Sequence, residues 1–127
     1  MSGKYTIGIS DHFDSAHFLK NYPGACSNIH GHTWKVDLLI SCEELDKIGM
    51  SIDFKILKKI LKNILSKYDH HLINDIEPFN NINPTAENLS REIYIQLKSQ
   101  IKKEYPNTKL ESVTIWESPK AFAKFEE

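Results

Sequence analysis

Cysteine is scarce in this chain of 127 residues, which has only Cys26 and Cys42. Two thiols cannot build the disulfide framework of a small secreted domain, so reduced cysteines and a cytosolic location are expected. Long apolar runs are missing as well. No stretch approaches the roughly 20 residues that a membrane helix needs, and the opening "MSGKYTIGIS" has no apolar core of signal-peptide length. Charge of one sign is not in excess either. Sixteen basic residues against 17 acidic ones give a formal net charge of −1, which excludes an overall basic footprint for nucleic acid. The lysines from Lys55 to Lys67 are interleaved with Ile and Leu, the pattern of a solvated helix face. Repeats, low-complexity tracts and linkers are also absent, so residues 1–127 read as one domain.

What is present suits a soluble globular protein, with 40% hydrophobic and 26% charged residues. The length allows a real core but leaves little volume for a self-contained enzyme pocket. Residues 4–19 hold two β-prone segments, "YTIGIS" and "FDSAHF", with a break expected near Asp11. Residues 30–42 alternate Trp34, Val36, Leu38 and Ile40 at period two, which predicts a strand. In "DFKILKKILKNILSKY" the apolar residues Phe54, Leu57, Ile60, Leu61, Ile64, Leu65 and Tyr68 recur at helical spacing, and Asp53 is placed to cap them. A second helix is expected after "NPT", capped by Thr85, with Leu89, Ile93, Leu97 and Ile101 on its buried stripe and Pro106 beyond its end. "SVTIWE" and "AFAKFEE" alternate as two final short strands. The order is ββααββ, an α+β arrangement with both helices on one face of a four-stranded antiparallel sheet. An open sheet of this kind leaves two edges that must be paired or protected.

Three places carry chemistry. His30 and His32 lie two apart on the second strand and so present their imidazoles on one face. His17 precedes them by a connection short enough to make an antiparallel partner. Three neutral imidazoles suit zinc and leave one tetrahedral position open, although hydrogen-bonded or surface histidines would give the same pattern. Cys26 is a fourth ligand closing the site, an incidental thiol, or an acid–base thiol near a metal. Spacing does not choose among these. Strand packing accounts for Cys42. Between the helices, residues 69–84 form a long segment with little regular pattern, which in a compact domain is often functional. It opens with Asp69, His70 and His71, which either serve a helix carboxyl end or do chemistry.

Taken together, "FDSAH", "CSNIHGH", "GMSIDFKILK", "YDHHLIND", "NPTAENL" and "WES" resemble, in content and order, the 6-pyruvoyltetrahydropterin synthase family, from about residue 5 to the C-terminus. Three residues between the cysteine and "HGH" are similar to the bacterial 6-carboxytetrahydropterin synthase branch, which serves queuosine biosynthesis. The pyruvoyl-forming animal enzymes carry a longer insertion there, and another branch has glutamate in place of the cysteine. The resemblance implies a tunnelling fold, in which such subunits form a β-barrel trimer and two trimers stack into a homohexamer. It implies zinc on His17, His30 and His32, with Cys26 as proton acceptor rather than ligand. Asp69 and His70 match the family's charge-relay pair, Glu117 the carboxylate that anchors the pterin, and Thr85 and Glu87 the segment lining the pterin pocket. The implied substrate is 7,8-dihydroneopterin triphosphate, converted to a 6-carboxytetrahydropterin with release of triphosphate and acetaldehyde, or to the 6-pyruvoyl product. Lys20, Lys35 and Lys120 are candidates for holding the triphosphate. A zinc- or pterin-binding module without activity is the competing class. It would not need Cys26, Asp69, His70 and Glu117 together. Ser118, where threonine is common, and a short tail after Pro119 are mild departures from the family pattern.

Overall fold

The computed structural model describes residues 3–127. Strand β1 runs Tyr5–His17 and β2 runs His30–Cys42; helices α1, Phe54–Leu65, and α2, Ala86–Glu104, follow; β3, Thr108–Ser118, and β4, Ala121–Phe125, close the chain. The ββααββ order is as expected, and the strands form one antiparallel sheet in the order β1-β2-β3-β4. The expected break near Asp11 is not there. β1 pairs with β2 without interruption from Tyr5↔Cys42 to His17↔His30, because a complete ladder outweighs the weak strand preference of one aspartate. β3 is likewise longer than the alternating "SVTIWE", starting at Thr108.

One sheet face is apolar and covered. Trp34, Val36, Leu38 and Ile40 are completely buried, as are Leu57 and Leu61 of α1 and Leu89, Ile93 and Leu97 of α2. Each such side chain stabilises the fold by about 1.5–3 kcal/mol through removal from water. The caps are those expected: Asp53 accepts from the Lys55 N–H at 2.8 Å, and the Thr85 hydroxyl accepts from the Asn88 N–H at 3.1 Å. Each is worth about 1 kcal/mol.

Two irregularities shape β3. Its register against β2 slips between Leu39 and Ile40, so that Leu39 faces Ser112 and Ile40 faces Leu110. The extra residue, Glu111, restores the alternation so that Leu110, Val113 and Ile115 all point into the core. A second slip, between Trp116 and Ser118, leaves Glu117 outside the ladder with β4.

Candidate metal centre and its cleft

The covered sheet face changes character at one end. Phe13 and Trp34 face each other across β1 and β2 with stacked rings 6.1 Å apart. The next inward positions along β1 and β2 are Ser15 opposite His32 and His17 opposite His30. The core stripe thus continues directly into three imidazoles, with centroid separations of 4.5 Å (His17–His30), 5.0 Å (His17–His32) and 4.9 Å (His30–His32). The indole of Trp34 backs them, 4.9 Å from His17 and 5.1 Å from His32. One ring nitrogen of each histidine lies within 4.8 Å of the other two, the spacing of a group that could hold a metal ion.

Hydrogen bonding orients the rings. The His17 Nδ1–H donates to the Pro84 carbonyl at 2.8 Å, and the His30 Nδ1–H donates to the Asn28 carbonyl at 2.7 Å. A carbonyl only accepts, so the protons sit on Nδ1 and the Nε2 lone pairs are free. The Nε2 atoms of His17 and His32 are buried with no hydrogen-bond partner. Buried polar atoms seldom stay unpaired, and three imidazole nitrogens this close together are the donor set that Zn2+ takes. The residues therefore fit a metal with an open fourth position. Burial, reinforced by neighbouring imidazoles, pulls the pKa of His17 below its ordinary 6.5, against the raising effect of the Pro84 bond. Burial also lowers that of His32, against the pull of Glu117. Both are neutral near pH 7, as ligation requires.

Glu117 reaches this end of the sheet, its Oε1 3.8 Å from His32 Nε2. Cys26 lies on a single 3-10 turn, Ala25–Ser27, in the loop joining His17 to His30, as a half-buried free thiol. It is not among the clustered ligand atoms, so the geometry gives no support to Cys26 as a fourth ligand.

Asp69 and His70 arrive from the connection after α1, which contains a 3-10 turn at Ile73–Asp75. Asp69 Oδ1 accepts from the Asp14 N–H and Oδ2 from His70 Nδ1, both at 3.0 Å. These bonds, the backbone one foremost, hold the Asp69 carboxyl below its ordinary pKa. The His70 N–H donates to the Asp14 carbonyl at 2.6 Å. His70 itself has φ +59°, a left-handed conformation unusual for a non-glycine residue. Strain of this kind persists where surrounding bonds impose it, often at functional sites. Here the straps come from β1. The Ser15 hydroxyl shares its one proton between the carbonyls of Tyr68 and His71, and the Ala16 N–H donates to the His71 carbonyl at 3.2 Å. The result is an open cleft of about 640 Å³ whose lining includes Gly31, His32 and His70.

The remaining expected residues sit farther out. Thr85 is committed to capping α2, and Glu87 is exposed in its first turn. The link from this segment to the histidines is the carbonyl of Pro84, a partner no residue pattern announces. Lys35 lies over Trp116, its Nζ 5.8 Å from the ring. Strand alternation puts it on the sheet face opposite His30 and His32. Lys20 Nζ donates to the Asn80 carbonyl at 3.4 Å. The bulge at Glu117 and the Asn28 carbonyl also escaped sequence reasoning, since both depend on tertiary register.

Residues 6–127 match the sequence profile of 6-pyruvoyl tetrahydropterin synthase. A 6-carboxy-5,6,7,8-tetrahydropterin synthase of Haemophilus influenzae is 33% identical, over 91% of this chain and 94% of that protein. A Bacillus subtilis protein of the same name is 36% identical over 71% of this chain. That match spans 63% of the B. subtilis protein, just under two thirds of its length. Among solved structures, 6-pyruvoyl tetrahydropterin synthase of Caenorhabditis elegans superposes with a TM-score of 0.85 at 28% identity, over 98% of this chain and 96% of that one.

Proposed function

This chain belongs to the 6-pyruvoyl tetrahydropterin synthase family, and from that premise we propose that it converts 7,8-dihydroneopterin triphosphate to 6-carboxy-5,6,7,8-tetrahydropterin, releasing triphosphate and acetaldehyde. The observation that carries this reading is the cluster of three imidazoles on paired strands, one of which, His32, lines an open cleft together with His70 of the aspartate–histidine pair. Zinc held by His17, His30 and His32 would supply Lewis acidity toward the substrate's side-chain hydroxyls.

The protein's own groups do the rest. Cys26, as thiolate, takes a proton from carbon, and His70 returns protons to the reacting side chain. Asp69 binds His70 Nδ1, which leaves Nε2 directed outward for that exchange. Glu117 matches the two parallel N–H donors on the 2-aminopyrimidinone edge of a pterin, and its approach to His32 sets the ring beside the triad. Thr85 and Glu87 lie on the segment that borders the pterin. Lys20 and Lys120 remain candidates for the triphosphate. The sheet edges at β4 and at the start of β1 suit closure with neighbouring copies into a barrel trimer or a stacked pair of trimers, with clefts completed at the seams. Synthesis of a queuosine precursor in the cytoplasm is the corresponding role.

The test is incubation of purified protein with 7,8-dihydroneopterin triphosphate and mass analysis of all products. 6-Carboxytetrahydropterin with acetaldehyde supports the proposal. A 6-pyruvoyl product without acetaldehyde moves the chain to the second reading, which the likeness to the C. elegans structure favours. Binding of the pterin without turnover would mean a non-catalytic module.

A further inference from the structure

Two side chains of the connection between α1 and α2 behave as strand backbone. Asn74, only 6% exposed, accepts from the Phe18 N–H and donates its amide to the Phe18 carbonyl, each at 3.0 Å. Asn83 repeats the pattern two residues on. It accepts from the Lys20 N–H at 2.8 Å and donates to the Lys20 carbonyl at 3.0 Å. A primary amide offers both an acceptor and donors, so these residues continue the pairing of β1 past its end at His17. Leu19, between the clamped residues, has its N–H on the other side, where it donates to the Cys26 carbonyl at 2.7 Å. Residues 18–20 therefore form a rail. One side is gripped by Asn74 and Asn83, and the other grips the turn that carries Cys26.

The rail shares an anchor with the triad. The Asn83 carbonyl accepts from the Asn88 side chain and from the Thr85 N–H, both at 2.9 Å, which ties it to the start of α2. The next carbonyl, that of Pro84, orients His17. A movement of this anchor would shift the Cys26 turn and the deepest imidazole together. Precision of this kind matters because a reacting group displaced by about 1 Å loses about 100-fold in rate.

We propose that Asn74 and Asn83 are positioning residues that hold the Cys26 turn in register with the histidine cluster. The inference rests on the reading of Cys26 as proton acceptor. The test compares Asn83→Ala, Asn83→Asp and Asn74→Asp with the parent protein, and uses Asn81→Ala as control. Each aspartate keeps the acceptor and removes the donor. Four quantities are measured: kcat and KM on 7,8-dihydroneopterin triphosphate, bound metal, thermal midpoint, and the rate of iodoacetamide alkylation at Cys26. Asn83→Ala is expected to lower kcat about 10- to 100-fold, while KM is free to rise because the same amide holds Lys20, a candidate for the triphosphate. Metal stays bound, and Cys26 alkylates severalfold faster because its turn is released. Asn81→Ala changes none of these. An unchanged alkylation rate in a folded Asn83→Ala overturns the inference, as does a kcat loss that merely tracks loss of metal. Should Asn74→Asp not fold, the two Asn83 variants decide alone. If the parent protein shows no turnover, the functional reading falls, yet the alkylation rates still decide whether the asparagines hold the turn.

Discussion

His17, His30 and His32 stand on two paired strands, whereas Asp69 and His70 stand on a turn strapped to the outside of one of them. The first group needs no special backbone. Register alone puts His17 opposite His30, and alternation puts His32 on the same face. The rings inherit the rigidity of the ladder, and His17, only 1% exposed, the dryness of the core, while His30 and His32 are half-buried. The second group has no ladder to lean on. A left-handed residue, two backbone bonds to Asp14 and the Ser15 hydroxyl hold it in place, and the His70 side chain stays 76% exposed. Neutral ligands belong in the dry, rigid setting. The proton transfer proposed for His70 needs contact with solvent and a firm orientation, and the corner supplies both.

Substitutions should separate the two regions. The largest effect is expected from His32→Ala, which removes one of the three proposed ligands and should abolish both metal retention and turnover, whereas Cys26→Ala should keep about one metal per chain, as for a three-ligand site. Metal analysis after dialysis reads this directly; equal loss in both variants would make the thiol a ligand. Next comes the corner. His70→Asn, chosen because asparagine tolerates the left-handed backbone, should lower turnover by about two to four orders of magnitude with metal unchanged. Cys26→Ala should fall in the same range. Near-normal rates in either variant would remove that group from proton transfer.

The sequence was unequal as a guide to the two regions. The triad could be read because "HGH" sits at the head of a period-two strand and "DSAH" at the foot of its partner, so local alternation and a short hairpin suffice. Glu117 is different. Its approach to His32 depends on the register of β3 against β2, and that register is visible only once the two strands are paired. The corner was legible as a suspicious Asp-His-His, but not its straps, because Ser15 and Asp14 act through backbone groups distant in sequence. The break expected near Asp11 failed for the same reason in reverse, since long-range pairing overrode a local preference.

A smaller effect tests the straps themselves. Ser15 is 7% exposed, and its hydroxyl serves the carbonyls of Tyr68 and His71. Each carbonyl keeps a longer partner at 3.2 Å, the His71 N–H for Tyr68 and the Ala16 N–H for His71. Ser15→Ala should therefore cost about 1 kcal/mol rather than the full penalty of an orphaned group. Denaturant unfolding of the metal-loaded protein reads it. No measurable loss would mean that Asp14 and the Ala16 N–H hold the corner without the hydroxyl.

The smallest effect is in the pH dependence of stability, where the regions should separate by window. In metal-free protein, burial lowers the pKa of His17 and His32 in the folded state below 6.5. Between the folded and unfolded values, the unfolded chain binds more protons, so stability rises with pH there. Their contribution is complete above about pH 6.5 and is lost as pH falls toward the depressed folded values. Asp69 is also depressed, from 3.8, by the Asp14 N–H first and His70 second. Its contribution is complete above the ordinary carboxylate range and fades only in the more acid limb. Thermal midpoints across pH should thus show an upper limb owed to the cluster and a lower one owed in part to the corner. His32→Gln should flatten the upper limb, and Asp69→Asn should flatten the lower one while leaving the upper intact. Added zinc should steepen the upper limb, because protons and metal compete for the same lone pairs. An upper limb unmoved by both His32→Gln and zinc would show that the buried imidazoles are not what titrates there.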